Sequence, residues 1–175
     1  MAEHAKNETQ SPAERAVALL KAQGKTLACA ESCTGGMIAE RITDVPGASA
    51  VFRGGVVSYA VAVKEVVLGV SPQDIAAHSA VSAPVARQMA QGARLLLHSD
   101  VAVSTTGVAG PGPDDRGNPQ GTVYIALAAP DKTACWRFHF DGDRRAVREA
   151  AAAQALTLAA AHLAGGPLPA EAPEE

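Results

Sequence analysis

The chain has 175 residues, of which 47% are hydrophobic and 3% aromatic, and its formal net charge at pH 7 is −3. This length suits one domain with one core. Few aromatic rings and no basic surplus argue against stacking on single-stranded bases and against binding a phosphate backbone, so we expect no nucleic-acid partner.

The sequence also argues against a membrane segment, a disulfide framework and a metal site. No apolar run approaches about 20 residues and the stretch from Met1 to Lys6 is polar, which predicts a cytoplasmic protein with no membrane partner. The chain has an odd number of cysteines, which are Cys29, Cys33 and Cys135, and the first two have a CxxxC spacing. Neither feature is typical of a disulfide framework, so we expect reduced thiols. The five histidines are scattered without a ligand spacing. We therefore expect no metal and no cofactor.

The N-terminal part predicts a helix, a strand and a second helix. Residues 1–10 are polar and expected to be disordered. Ser11-Pro12-Ala13-Glu14 has the pattern of a capping box that starts a first helix, and Gly24 would end it. The small apolar run 27–30 predicts a strand, and a helical pattern follows over about 35–43.

Between that strand and that helix lies the turn Glu31-Ser32-Cys33-Thr34-Gly35-Gly36. Such a turn holds a hydroxyl or thiol at the C-terminal edge of a sheet, where the N–H groups of the next helix point at a ligand. Ser32 is therefore a candidate nucleophile. The N–H groups around Thr34, Gly35 and Gly36 are candidate donors to an oxyanion.

The next segment brings a tyrosine and a lysine into the same unit. Residues 56–59 are β-like, and Lys64 is expected near the start of a short helix. Tyr59 and Lys64, five residues apart, converge only if the chain turns between them. Ser32 with Lys64 as its base, assisted by Tyr59, is then one interpretation.

The middle of the chain predicts two helices, a strand and a long loop. The helices are expected at 71–78 and from Ser82 to about residue 96, and the strand at 101–105. The segment 108–121 is rich in Gly and Pro and follows a strand end, as ligand loops do in α/β sheets.

The C-terminal part predicts a hairpin, 122–128 with 133–140, and an Ala-rich helix over about 144–164. Residues 166–175 are expected to be a disordered tail. Helices and strands in alternation, with one hairpin, predict a three-layer α/β/α sandwich with a mixed, mainly parallel sheet. The expected single domain spans 11–165.

Several chemical interpretations compete over these residues. The flanks of Ser32 do not form the GxSxG motif of an α/β-hydrolase, and the chain has no SxxK motif. A Ser/Lys pair and a Cys33 nucleophile stay open. So do the structural alternatives, in which Ser32 is a helix cap, Lys64 a solvated lysine and Tyr59 an edge-strand residue.

Several motifs, in order along the chain, resemble those of one family over about residues 12–163. They are AESCTGG from Ala30, PGAS from Pro46, GGVVSYA from Gly54 with Lys64 after it, HSAVS from His78, TTGVAGPG from Thr105, GTVYIA from Gly121 and GDRRAVR from Gly142. This set resembles the CinA C-terminal domain family, the nicotinamide-nucleotide amidohydrolases of the PncC type.

The resemblance implies hydrolysis of the carboxamide of nicotinamide mononucleotide to nicotinate mononucleotide and ammonia, in pyridine-nucleotide salvage. It implies that Ser32 is the nucleophile, Lys64 its base and Tyr59 an assisting hydroxyl. The other expected substrate-binding residues are Gly35, Gly36, Ser49, Thr106, Gly107 and Arg145. A homodimer is expected from the small domain and the Ala-rich helix. The alternative function is a non-catalytic nucleotide-binding, competence/damage-inducible accessory domain.

One loop departs from the family pattern. Where the pattern has Lys-Pro, this chain has Asn118-Pro119. If that lysine binds phosphate, Arg116 would have to supply the charge.

Overall fold

The computed structural model describes residues 10–173, and its centre is a five-stranded sheet in the order β2-β1-β3-β4-β5. The strands are β1 (Leu27–Glu31), β2 (Phe52–Val57), β3 (Val101–Gly107), β4 (Thr122–Ala128) and β5 (Thr133–His139). The helices are α1 (Pro12–Gln23), α2 (Met37–Thr43), α3 (Val61–Leu68), α4 (Pro72–His78), α5 (Ala83–Leu96) and α6 (Arg144–Leu163), with a 3₁₀ turn at Ala48–Ala50.

The sheet is mixed and mainly parallel, as predicted. β1 pairs in parallel with β2 on one side and β3 on the other. β4 is antiparallel to both of its neighbours, so it alone runs against the other four strands. The carboxyl ends of β1, β2 and β3 consequently meet at one edge of the sheet, where ligand sites of α/β folds form.

Helices cover both faces of the sheet, which confirms the three-layer architecture. α1, α2 and α6 share a core with Leu27 and Cys29 of β1, whereas α5 packs on the opposite face against Ala28 and Ala30. This alternation follows the two-residue period of a strand. α3 and α4 contact α5 and complete the second layer.

Residues 166–173 correct the prediction of a disordered tail. They form no helix or strand, but the Ala172 N–H donates to the Cys135 carbonyl at 2.8 Å and the Trp136 indole N–H donates to the Pro169 carbonyl at 3.0 Å. The tail is held because β5 is an edge strand with unpaired backbone groups. The predicted disorder of residues 1–10 falls almost wholly outside the described residues.

Within residues 10–173, no helix combines the length and apolar character that crossing a bilayer requires.

Candidate active site

Ser32 and Lys64 meet at the carboxyl edge of the sheet. Ser32 directly follows β1, and Lys64 is the fourth residue of α3. The chain turns between Tyr59 and Lys64, as their spacing predicted. The Lys64 amine donates to the Ser32 hydroxyl at 2.9 Å and to the Ser58 carbonyl at 2.5 Å. A hydroxyl and an amine in hydrogen-bonding contact form a candidate nucleophile and base.

Burial changes the acidity of this amine. Lys64 is 2% exposed, and loss of hydration lowers its pKa from 10.5 to about 8. At pH 8 about half of the amines are then neutral, and a neutral amine can accept the proton of the serine hydroxyl. The interpretation of Lys64 as a solvated surface lysine is therefore wrong.

Cys33 lies beside this pair, but its chemistry does not suit a nucleophile. Its thiol is buried, and burial raises its pKa to about 11. The thiolate is the reactive form of cysteine, so the raised pKa disfavours the interpretation of Cys33 as the nucleophile. Cys29, Cys33 and Cys135 are all buried and form no disulfide in the structure. The reduced state expected from the sequence stays a prediction.

A buried carboxylate holds the turn that carries Ser32. Glu31 is 1% exposed and accepts hydrogen bonds from the N–H groups of Gly36 at 2.9 Å, Ile38 at 3.0 Å and Ala39 at 2.9 Å. Gly36, the N-cap residue of α2, has no side chain that could cap the helix. The Glu31 side chain, which lies earlier in the chain, therefore takes the role of an N-cap and accepts from the N–H groups that the first turn of the helix leaves unpaired.

A guanidinium holds the same turn from the other side. Arg148 of α6 donates to the Cys33 carbonyl at 3.0 Å and to the Thr34 carbonyl at 2.9 Å. Neither Glu31 nor Arg148 was among the site residues predicted from the sequence. A charged residue at the end of an otherwise apolar strand was the available signal for Glu31.

The predicted oxyanion donors are partly wrong. The Gly35 N–H is bonded to the Ser32 carbonyl at 3.2 Å and the Gly36 N–H to Glu31. Both glycines have positive φ, +59° and +105°, a backbone conformation that suits glycine and shapes the turn. Neither glycine lines the cavity. In residues 10–173, the N–H groups of Cys33 and Thr34 have no acceptor, and of these two residues Cys33 lines the cavity, which leaves the Cys33 N–H as the candidate oxyanion donor.

Ser32 and Lys64 open into a cavity of about 220 Å³. Its lining combines polar side chains with small apolar ones: Ser32, Cys33, Tyr59, Val61, Lys64, Ala80, Val81, Thr106, Gly107, Ala109 and Arg144. A larger hollow of about 460 Å³ lies elsewhere, beside Ser11 and Arg41, but neither Ser32 nor Lys64 lines it.

Three of the predicted site residues line this cavity in supporting positions. Thr106 donates its hydroxyl to the Ala80 carbonyl at 2.7 Å and so holds one wall. A Cβ on Gly107 would lie 2.6 Å from the Thr122 carbonyl oxygen, so glycine here permits the pairing of β3 with β4. Tyr59 is 62% exposed, and its hydroxyl accepts from Arg144 at 2.7 Å.

Two predicted binding residues are not brought to the cavity. Ser49 lies in the 3₁₀ turn and lines a separate hollow. The Arg145 side chain is 80% exposed and donates to Glu149 at 2.7 Å, four residues further along α6. Arg144, one position earlier, lines the cavity instead. Helical spacing places Arg144 on the same face as Arg148 and Arg145 on the same face as Glu149. Which of these faces meets the cavity depends on how α6 packs, so spacing alone does not separate the two arginines.

The loop that departs from the family pattern supplies no cation to the cavity. Arg116 donates to the Ala76 carbonyl of α4 at 2.7 Å, and the Asn118 side chain donates to Asp114 at 2.8 Å. Neither Arg116 nor Asn118 lines the cavity, so Arg144 is the guanidinium that lines it.

Across residues 10–173, no three side chains of His, Cys, Asp or Glu come close enough together to hold a metal ion.

Comparison with known proteins connects this site to one family. The model of the CinA C-terminal domain matches residues 9–163. A CinA-like protein of Anaeromyxobacter sp. (strain Fw109-5) is 51% identical over 142 residues, which cover 81% of this chain and 35% of that protein. The chain thus spans about a third of the length of such curated relatives.

Solved structures agree with this match. A CinA superfamily protein of Klebsiella pneumoniae superposes with a TM-score of 0.86 at 34% identity, covering 88% of this chain and 96% of that one. The competence/damage inducible protein CihA of Agrobacterium tumefaciens superposes with a TM-score of 0.79 at 35% identity, covering 83% and 89%.

Proposed function

The chain belongs to the CinA C-terminal domain family, and from that premise we propose that it hydrolyses the carboxamide of nicotinamide mononucleotide, giving nicotinate mononucleotide and ammonia. One observation carries the proposal. The buried Lys64 amine, with a pKa of about 8, lies 2.9 Å from the Ser32 hydroxyl in a cavity. A buried amine of lowered pKa beside a hydroxyl is an arrangement suited to acyl transfer near neutral pH.

The first half of the reaction forms an ester on Ser32. The Ser32 oxygen bonds to the carboxamide carbon while neutral Lys64 takes the hydroxyl proton, and the carbonyl oxygen becomes an oxyanion. The Cys33 N–H group is the donor available to that oxyanion. Lys64 then gives its proton to the amide nitrogen, the C–N bond breaks and ammonia leaves.

The second half of the reaction releases the acid. A water attacks the ester carbon and gives a proton to Lys64. The bond to the Ser32 oxygen breaks, the serine takes the proton back, and nicotinate mononucleotide leaves. Lys64 thus serves as base and then as acid in each half.

The volume and the lining of the cavity indicate which part of the substrate it would enclose. At about 220 Å³ it is smaller than the roughly 300–1,000 Å³ of most ligand sites, so it would enclose the pyridine carboxamide and leave the ribose phosphate at its mouth. Val61 and Val81 provide apolar walls for the ring. The Arg144 guanidinium has the fork geometry that suits a phosphate.

An ammonia-release assay with nicotinamide mononucleotide tests the proposal. The wild-type protein should release ammonia, and Ser32→Ala and Lys64→Met should each lower kcat by at least about a thousandfold, since each removes a group that takes part in bond making. Arg145→Ala is the control and should retain wild-type turnover, because Arg145 lies outside the cavity.

The same assay addresses the alternative function. If wild type binds nicotinamide mononucleotide and its melting temperature rises with ligand, but no ammonia is released, the chain is a non-catalytic nucleotide-binding domain and the proposal is wrong.

A further inference from the structure

We propose that Arg144 makes the site selective for phosphorylated substrates by exchanging its hydrogen bond to Tyr59 for one to the substrate phosphate, which releases the Tyr59 hydroxyl towards Lys64. The inference rests on the proposed function, since it concerns the rate of that reaction. It assigns a role to a contact that the proposed mechanism leaves unused.

The first support is the charge of Arg144. Its guanidinium donates to the Gly110 carbonyl at 2.5 Å and to the Tyr59 hydroxyl at 2.7 Å, and both acceptors are neutral. Among the described residues Arg144 forms no salt bridge, whereas its neighbour Arg145 is paired with Glu149. Arg144 is thus a cation at the cavity with no carboxylate partner.

A phosphate is a stronger acceptor for this cation than a phenol. Hydrogen bonds between guanidinium and phosphate are charge-assisted and often bidentate, so they use two parallel N–H groups. Both terminal nitrogens of Arg144 are engaged in the ligand-free protein. These two bonds use two of the five N–H donors of the guanidinium. A phosphate that binds at the edge facing Tyr59 competes for the N–H given to the phenol and, as the stronger acceptor, displaces the contact with Tyr59.

The second support is the freedom of Tyr59. Its side chain is 62% exposed, and its hydroxyl has Arg144 as its hydrogen-bond partner. Tyr59 lines the same cavity as Lys64, and the residue before it, Ser58, provides the carbonyl that Lys64 binds. Once released, the tyrosine is free to rotate within the cavity that it shares with the amine.

The third support is an unused hydrogen-bond donor position on the Lys64 amine. An ammonium group has three donor positions, and the Lys64 amine uses two of them, on Ser32 and on the Ser58 carbonyl. The third is available to the Tyr59 hydroxyl. A hydrogen bond there would orient the amine towards the Ser32 hydroxyl. Tyr59 is thus a positioning residue that contacts Lys64 once the substrate phosphate has bound to Arg144.

The consequence is that phosphate raises turnover as well as affinity. Binding energy from a remote part of a substrate acts on kcat when it is used to order the reacting groups. A substrate without phosphate should bind in the cavity but leave Tyr59 on Arg144. Free phosphite, added separately, should restore part of the lost rate.

Kinetics with nicotinamide riboside test this coupling. We expect the riboside to show a kcat at least tenfold below that of the mononucleotide, and added phosphite to raise that kcat several-fold. The rise should be absent in Tyr59→Phe and in Arg144→Gln, and preserved in Arg145→Gln, the matched control. No activation of wild type, or activation that persists in Tyr59→Phe, overturns the inference.

A second measurement is independent of turnover. The chain has two tyrosines, so ring-labelled protein gives two sets of NMR signals, and Tyr59→Phe assigns them. Titration of Ser32→Ala with inorganic phosphate should shift the Tyr59 signal, and Arg144→Gln should abolish the shift. An unmoved Tyr59 signal overturns the inference even if wild type releases ammonia. If the Tyr59 signal shifts but wild type releases no ammonia, the proposed function is wrong, whereas the anion site at Arg144 is supported.

Discussion

A single buried amine couples the chemistry of this site to the stability of the chain. Lys64 is 2% exposed, and its pKa is about 8 in place of 10.5. Between these two pH values the unfolded chain binds more protons than the folded one, so the free energy of unfolding rises with pH across that window. Below pH 8 the whole cost of burying the cation is present, about 3 kcal/mol for a shift of this size.

Lys64→Met should therefore stabilise the protein while it removes activity. At pH 7 we expect the free energy of unfolding to increase by up to about 3 kcal/mol, because an apolar side chain of similar length replaces a buried cation. Urea unfolding at pH 7, 9 and 10.5 measures this, and the gain should shrink as pH rises. A gain that is zero at pH 7, or equal at all three values, would mean that the amine is not held at a lowered pKa.

At the same scale, the sequence predicted the reacting pair but not its surroundings. Ser32 follows a strand and Lys64 lies in the first turn of a helix that comes after a turn of the chain, and both signals are local. Arg144 was missed in favour of Arg145 because a choice between adjacent arginines depends on which helix face meets the cavity. That face is set by the packing of α6 on the sheet, which no local pattern contains.

At the scale of elements, α2 depends on a carboxylate that belongs to β1. Glu31 bonds to three N–H groups at the start of this helix, whose N-cap residue is glycine. The same contacts fix the turn that carries Ser32. The stability of the helix and the position of the nucleophile are thus determined by one side chain.

Glu31→Gln should weaken both. The amide nitrogen of glutamine would face N–H donors, and charge-assisted bonds would be lost, so we expect the free energy of unfolding to fall by about 3 kcal/mol. Because Ser32 would lose its alignment, kcat for ammonia release should fall more than KM rises. Urea unfolding and steady-state kinetics check the two effects.

Glu149→Gln is the matched control for this change. Its carboxylate pairs with Arg145 at the surface, so unfolding should change by less than about 1 kcal/mol. If Glu31→Gln unfolds at the same urea concentration as Glu149→Gln, the cap is not what stabilises the turn.

The order of helices and strands was largely predictable because periodicity and capping signals are local. The capping box at Ser11, for example, is present in the structure with both of its hydrogen bonds. The 3₁₀ turn at Ala48–Ala50 and the docked tail were not predicted. The 3₁₀ turn is a short element held by local hydrogen bonds, too short for periodicity to reveal, whereas the tail is held by Cys135 and Trp136, which lie more than thirty residues earlier in the chain.

At the scale of the whole molecule, the two edges of the sheet differ. β2 and β5 are the outer strands, and the tail lies along β5. Trp136 of β5 is 1% exposed, and its indole N–H has the Pro169 carbonyl as its partner. The tail therefore covers one edge and a large core side chain.

Removal of residues 167–175 should destabilise the fold. The indole N–H would lose its partner, which costs about 1–3 kcal/mol and several degrees of melting temperature in a chain of this size. Trp136 is the single tryptophan, so its emission should shift to longer wavelength as water reaches it.

A point change in the tail serves as the control for the truncation. Glu171→Gln breaks an exposed pair with Lys132, 3.2 Å long, and should have little effect on melting or emission. Unchanged emission and melting temperature in the truncated protein would show that the tail does not cover Trp136 in solution.

The homodimer and the cytoplasmic location expected from the sequence stay predictions.

The central claim is that Lys64 acts as a neutral base on Ser32 to hydrolyse nicotinamide mononucleotide. Its most direct test is the rate of ammonia release from that substrate as a function of pH, for wild type and Ser32→Ala. The account predicts that kcat/KM of the wild type rises with pH to a plateau with a midpoint near the lowered pKa of about 8, and that Ser32→Ala releases no ammonia. Equal rates in the two proteins, or no ammonia from the wild type at any pH, would contradict it.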